Sequence, residues 1–163
     1  MNWFLFWLFL HILAAVIAFG PIFVFPIIGT LVARMPQHLG FAVELNHRIE
    51  VRLVLPLALS MFVSGVGLIW TANINVFGTP FLLVGIILYL MATAIAVGVL
   101  VPNTGRLVRL VEHASASGAA PGAPPSAVMT LIRRNQMFGG VTTVMFLVII
   151  FLMIIQPGGI ALR

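Results

Sequence analysis

Four long apolar runs constrain the fold of this chain more than any other feature. They extend from Trp3 to about Val32, from about Leu53 to Trp70, from Phe81 to Val101 and from about Met137 to Ile155. A helix needs about 20 apolar residues to cross the ~30 Å hydrocarbon core of a bilayer. Each run therefore predicts a transmembrane helix. Together they predict an all-α fold, a single integral membrane domain built as an up-and-down four-helix transmembrane bundle.

The composition excludes several classes of function. Of the 163 residues, 62% are hydrophobic and 7% are charged, whereas a soluble domain has about 45–50% apolar and about 25% charged residues. The net charge of +5 comes from eight arginines and three glutamates spread along the chain, a pattern that does not indicate nucleic-acid binding. The absence of cysteine excludes disulfides, thiolate zinc sites and iron–sulfur clusters.

The first apolar run predicts a long, proline-kinked helix. Its thirty residues would form about 45 Å of helix, which is longer than a bilayer requires. Pro21 and Pro26 lie inside it, and each removes a backbone donor and crowds the carbonyl four residues earlier. The run also continues far past the length of a signal-peptide apolar region, so we expect it to be retained.

The segments between the runs predict an early helix start and a flexible linker. At the start of the second run, an apolar stripe of Phe41, Leu45, Ile49 and Leu53 recurs every four residues, which indicates that the helix begins before Leu53. Between the third and fourth runs, residues 114–127 consist entirely of Ala, Gly, Pro and Ser. Such a segment buries little apolar surface, so we expect a flexible cytoplasmic linker.

The distribution of arginine predicts the orientation. Seven of the eight arginines lie between runs one and two or between runs three and four. By the positive-inside rule this side is cytoplasmic, which places both termini on the non-cytoplasmic side of a bacterial inner membrane. Trp3, Trp7 and Trp70 would then lie near the outer interface, where indole is favoured.

His11 is the one ionisable side chain that the sequence places well inside the membrane. It lies about 12 Å inward of Trp3 along a helix, and such residues are functional-site hypotheses by default. It could be a neutral imidazole bonded to a carbonyl or hydroxyl of another helix, or a ligand or proton-handling group. Met61 and Met91 fall at a similar depth, so a haem b or soft-metal site of His11, Met61 and Met91 is one hypothesis; methionine is also a common core filler.

A cluster of charged residues precedes the second run. Glu44 and Arg48 have the spacing of a helical ion pair, and His47, Glu50 and Arg52 lie close to them in sequence. The cluster could clamp an anion or a haem propionate. Alternatively, its arginines orient the chain and contact lipid headgroups. We expect anion or headgroup contacts from four arginines: Arg48, Arg52, Arg106 and Arg109.

Small residues recur at the spacing that lets transmembrane helices approach closely. The pairs are Ala92 and Ala96, Ala94 and Gly98, Ser60 and Ser64, and Gly139-Gly140 with Thr143. This pattern predicts helix packing rather than an activity. The sequence contains no nucleophile triad, Walker loop, zinc motif or carboxylate dyad, so we assign no catalytic residue.

Several segments carry a family resemblance: LHILAA in run one, RIEVRLVLPLALSMFVSGVGLIW, LVPNTGRLVRLVE and RRNQMFGGVTTVMFLVIIFLMIIQPGG. Over nearly its whole length the chain resembles a family of bacterial four-helix integral membrane proteins of unknown function. In layout it is also similar to the four-helix protoporphyrinogen oxidases and to the copper-resistance membrane domain. The resemblance to the oxidases would make His11 a haem ligand or catalytic group. That family relies on an intramembrane lysine and this chain has none, so the oxidase activity is not carried over.

Three classes of function follow. The first is a non-catalytic accessory or structural subunit that packs against other subunits of a larger membrane complex. The second is a haem- or metal-binding redox protein centred on His11. The third is a small transporter, which ranks last because one ionisable residue lies at depth and no inverted repeat is apparent.

Overall fold

The computed structural model describes residues 2–116 and 126–160, and these residues are almost entirely helical. Two π-helical turns, Glu50–Val54 and Ala96–Leu100, each join two α-helices into one continuous helical stretch. A short 3-10 turn, Pro36–His38, follows the first helix. The six α-helices are α1 (Trp3–Arg34), α2 (Leu39–Ile49), α3 (Leu55–Thr71), α4 (Pro80–Ile95), α5 (Val101–Ala116) and α6 (Ser126–Ile155).

These helices form four stretches that are long and apolar enough to cross a membrane: Trp3–Arg34, Pro36–Thr71, Pro80–Ala114 and Ser126–Ile155. The all-helical fold, the four spans and the long first helix are therefore confirmed. The last three helical stretches extend beyond the apolar runs that define them in the sequence. Of the expected flexible linker, residues 114–116 and 126–127 are helical, and residues 117–125 lie outside the described residues.

Proline accounts for several helix boundaries. Pro36 disfavours the α conformation in the residue before it; Met35 accordingly has φ −132° and ψ 70°, and α1 ends at Arg34. Pro80 occupies the first position of α4, where its missing N–H costs no hydrogen bond. Pro21 and Pro26, by contrast, lie inside α1, which continues through both.

The bundle has two halves with different helix pairs. In the half that holds the α3–α4 loop, α1 packs against α3 and α4 packs against α6. In the other half, α5 packs against both α2 and α6. Because most of the arginines lie in this second half, we call it the arginine end.

Each half has its own core. Ala14, Ala18, Phe19 and Met61 form the buried cluster between α1 and α3, and Phe19 stacks on Phe146 of α6 with 4.5 Å between ring centroids. At the arginine end, α2, α5 and α6 contribute one buried residue each to a second cluster: Val43, Leu107 and Val128.

The early start of the second helical stretch agrees with the sequence periodicity, since α2 begins at Leu39. The apolar stripe that indicated it nevertheless faces outward at both ends, because Phe41 is 73% exposed and Leu53 is 37% exposed. The buried positions of this stretch include Val43 and the carboxylic acid Glu50. In a membrane an apolar stripe can face outward, because the surrounding lipid is also apolar.

Candidate functional site

His11 binds α3 through one nitrogen of its ring. Its Nδ1 lies 3.1 Å from the carbonyl oxygen of Met61 and 3.0 Å from the hydroxyl oxygen of Ser64. The Ser64 hydroxyl donates to the carbonyl of Ser60 at 2.8 Å, so its oxygen is left to accept. The hydrogen-bond network thus assigns the proton to Nδ1, which donates to α3 and leaves the lone pair on Nε2.

Two glycines of α3 make room for this contact. An added Cβ at Gly65 would lie 3.5 Å from Cε1 of His11, and one at Gly67 would overlap the indole of Trp7. Trp7 and His11 are one helical turn apart on α1, so both rings lie directly against the α3 backbone. Small residues allow such close approach of helices within a membrane.

The methionines expected near His11 occupy different environments. Met61 is buried in the α1–α3 core, and its backbone carbonyl contacts the imidazole. Tyr89 of α4 packs against the same core, whereas Met91, two residues further on, is 51% exposed and does not belong to it. The structure therefore brings His11 and Met61 together through the backbone and leaves Met91 on the outer surface of α4.

A second polar site lies at the arginine end and centres on Glu50. The carboxyl group is buried, with 7% of the residue exposed, and its Oε2 accepts a hydrogen bond of 2.7 Å from the hydroxyl of Thr104 on α5. Nδ1 of His47 lies 3.0 Å from the same hydroxyl oxygen. Since the Thr104 proton goes to the carboxylate, His47 donates, and the three groups form a chain of hydrogen bonds from imidazole to carboxyl. We call Glu50, Thr104 and His47 the Glu50 triad.

The π-helical turns border this triad. Glu50 is the first residue of one π turn, and Thr104 lies four residues after the end of the other. The Thr104 hydroxyl lies within 3.1 Å of the carbonyl oxygens of Leu100 and Val101, which places several oxygen atoms around one point. Single π turns inside α-helices occur frequently at functional sites.

Three asparagines at the same end carry buried amide atoms without a hydrogen-bond partner among the described residues: Asn46 Oδ1, Asn103 Nδ2 and Asn135 Oδ1. They lie further into the bundle than the Val43–Leu107–Val128 cluster on the same three helices, Asn46 and Asn103 by about one turn and Asn135 by about two. Buried polar atoms normally find a partner, either protein or ordered water. The arginine end therefore has a polar layer beneath its apolar cluster.

The sequence grouped Glu50 with neighbouring charges, and the structure separates it from them. The predicted ion pair of Glu44 and Arg48 is confirmed on the surface. Glu50 makes no ion pair with any residue that the structure describes. Glu50 lies three residues after His47 and seven after Val43, a spacing that puts all three on one helical face. This spacing in the sequence could have assigned Glu50 to the buried face, apart from the arginines.

The four arginines expected to contact anions are all exposed. Arg48 and Arg52 lie on the α2 side, and Arg106 and Arg109 lie on α5. Because α2 packs against α5, the four positions belong to one end of the bundle. None of the four forms a salt bridge with Glu50 among the described residues. Within the same ranges, no three His, Asp or Glu side chains are grouped to hold a metal ion.

The comparison with family models matches residues 5–157 to DUF2269, described as a predicted integral membrane protein. The chain belongs to this family. Membership in DUF2269 confirms the resemblance to membrane proteins of unknown function and agrees with four spans in contact with lipid. No curated protein and no solved structure matches the chain. The description of DUF2269 names no activity.

Proposed function

We propose that this DUF2269 protein is a non-catalytic accessory subunit that packs against a helix of a larger membrane complex. The observation that carries the proposal is an open small-residue edge on the third span. Ala94 and Gly98, one turn apart, are both exposed, and an added Cβ at Gly98 would meet nothing within 4 Å. We call this pair the Ala94–Gly98 edge.

Other small residues of the bundle show how such an edge is used. Ala92 and Ser64 are 0% and 1% exposed, and Gly65, Gly67 and Gly85 each lie against a side chain of another helix. At these positions a small residue lies where a second helix approaches. At Gly98 no atom of another helix among the described residues lies within 4 Å of an added Cβ, which supports contact with a helix of a partner.

The test is purification in mild detergent followed by native mass spectrometry. We expect the wild-type chain to retain a stoichiometric membrane partner, and Gly98→Trp to reduce its yield at least fivefold by blocking close approach. Leu59→Trp is the matched control, because Leu59 is 65% exposed on α3 and lies in no small-residue pair. A wild-type chain that carries no partner, or equal losses from both variants, would overturn the proposal.

A haem b or soft-metal site at His11 is the second candidate. Its support is the hydrogen bond at Nδ1, which fixes the ring and leaves the Nε2 lone pair for a ligand. Met91 lies on the surface, whereas Met61 is buried in the α1–α3 core and contacts the imidazole through its backbone carbonyl. A haem would therefore be held by His11 without Met91, together with Met61 or a group from the partner.

Visible spectroscopy separates the two candidates. A Soret band in the purified protein that changes with dithionite and is lost in His11→Ala, but kept in His38→Ala, would support the haem site. His38 is exposed in the turn after α1. A colourless chain that co-purifies with its partner would support the accessory role and contradict the haem site.

For the membrane itself, we propose a bacterial inner membrane with the arginine end on the cytoplasmic side and both termini outside. The exposed side chains of Arg48, Arg52, Arg106 and Arg109 would then contact anionic lipid headgroups, each contributing about 1 kcal/mol near the surface. Replacing all four with Gln should weaken binding of anionic lipid to the purified protein at least tenfold, as measured by native mass spectrometry. Unchanged retention of anionic lipid would refute this assignment.

A further inference from the structure

A buried carboxyl group at the arginine end has no charged partner in the part of the chain that the structure describes. Glu50 is more than nine-tenths buried and receives one hydrogen bond from a neutral hydroxyl. An isolated ionised carboxylate is very costly to bury, and such groups usually neutralise instead. The negative charge of the Glu50 carboxylate therefore has to be neutralised by a bound cation or a proton. A proton is the smaller of the two and can come from water.

We propose that Glu50 is a proton-binding site that exchanges a proton with water at the arginine end through Thr104 and His47. The relay follows the hydrogen bonds of the Glu50 triad, which span 3.0 Å and 2.7 Å. His47 is partly exposed, so water can protonate its ring. This inference goes beyond the accessory role, because the Glu50 triad includes neither residue of the Ala94–Gly98 edge.

The transfer balances as a concerted shift of two protons. His47, protonated on both ring nitrogens by water, gives its Nδ1 proton to Oγ1 of Thr104. At the same time the Thr104 hydroxyl proton passes to Oε2 of Glu50. The imidazolium becomes a neutral imidazole, the hydroxyl is regenerated, and the carboxylate becomes a carboxylic acid, so that the charges of His47 and Glu50 disappear together.

Other charged groups lie on the elements around Glu50, but His47 is the one that its hydrogen bonds reach, through Thr104. Arg48 and Arg52 on its own helical stretch are exposed, as are Arg34 at the end of α1 and Arg106 on α5. None of them forms an ion pair with Glu50 among the described residues. The uncharged amides of Asn46 and Asn103 lie in the neighbouring polar layer.

Labelling with the hydrophobic reagent dicyclohexylcarbodiimide tests the proposal, because it adds to protonated carboxyl groups in apolar surroundings. The chain has three acidic side chains, so peptide mass spectrometry can assign every label. We expect labelling of Glu50 that falls at least tenfold as the pH is raised, and none in Glu50→Gln. Glu44, which pairs with Arg48, and exposed Glu112 serve as internal controls.

Variants of the relay supply a second measurement if Glu50→Gln fails to fold. Thr104→Val removes the hydroxyl that favours the carboxylate, so labelling of Glu50 at a fixed neutral pH should rise at least threefold. His47→Gln should raise it as well, whereas Arg48→Gln should not change it. Labelling that is absent at every pH, independent of pH, or blocked by sodium ions at constant pH would overturn the proposal, the last in favour of a sodium site.

Discussion

His11 shows how a membrane helix accommodates an imidazole. The ring lies against Gly65 and satisfies its Nδ1 with acceptors of α3 rather than with solvent. This matches one of the two roles that the sequence left open, a neutral side chain bonded to another helix. A hydrogen bond at Nδ1 is also found in histidines that bind a metal through Nε2. The role of His11 as a haem or metal ligand therefore stays a proposal.

A double-mutant cycle measures the bond between His11 and Ser64. We expect His11→Ala to lower the free energy of unfolding by about 1–3 kcal/mol, since it removes both packing and hydrogen bonds. The coupling energy with Ser64→Ala should be about 0.5–1.5 kcal/mol, the range for interhelical bonds in membranes. Unfolding in mixed detergent micelles gives both values. The control, His38→Ala at an exposed position, should change the free energy of unfolding little. A coupling energy of zero would show that Ser64 is not the partner of His11.

Two glycine-to-alanine substitutions should have opposite effects on stability. The added methyl of Gly67→Ala overlaps the Trp7 ring, and overpacking of this kind costs about 1–3 kcal/mol. At Gly139 in α6 the methyl meets nothing within 4 Å, so Gly139→Ala should gain up to about 1 kcal/mol from helix propensity. The same unfolding assay measures both, and destabilisation of equal size would contradict the close α1–α3 contact.

At the scale of the elements, hydropathy was enough to predict the four spans but not which faces are buried. Runs of apolar residues locate a helix in a membrane whichever way it faces, because lipid and core are equally apolar. Phe41 therefore belongs to the stripe that predicts α2 and yet lies on its surface. Pairing of Glu50 with Thr104 depends on the packing of α2 against α5, which joins residues 54 positions apart and leaves no periodic pattern in the sequence.

The two helix pairs in the α3–α4 half are connected by Tyr89. Its hydroxyl donates to the carbonyl of Ala58 on α3 at 2.6 Å, although α4 packs chiefly against α6. Tyr89→Phe should lower the free energy of unfolding by about 1 kcal/mol, because a partly buried carbonyl loses its donor. Thr143→Val is the control: its hydroxyl bonds to Gly139 of its own helix, so its loss should cost less. Equal effects would show that the Tyr89 bond does not stabilise helix association.

At the scale of the whole molecule, the two ends of the bundle differ in chemistry. The end with the α3–α4 loop has an apolar core that includes Phe19 and Met61, and its His11 and Tyr89 side chains bond to backbone carbonyls of α3. The arginine end holds the Glu50 triad and three amides with unpartnered atoms. A proton site at one end and a helix-packing edge on the third span are compatible with a subunit that responds to pH within a larger assembly.

The orientation of these ends can be measured directly because the chain has no cysteine. Phe77 in the α3–α4 loop is 83% exposed, and Gln37 in the turn after α1 is also exposed. In spheroplasts, an impermeant maleimide should label Phe77→Cys at once and Gln37→Cys only after the membrane is permeabilised, because the positive-inside rule places the arginine end in the cytoplasm. The reverse pattern would invert the topology, and water reaching His47 would then come from the outer side.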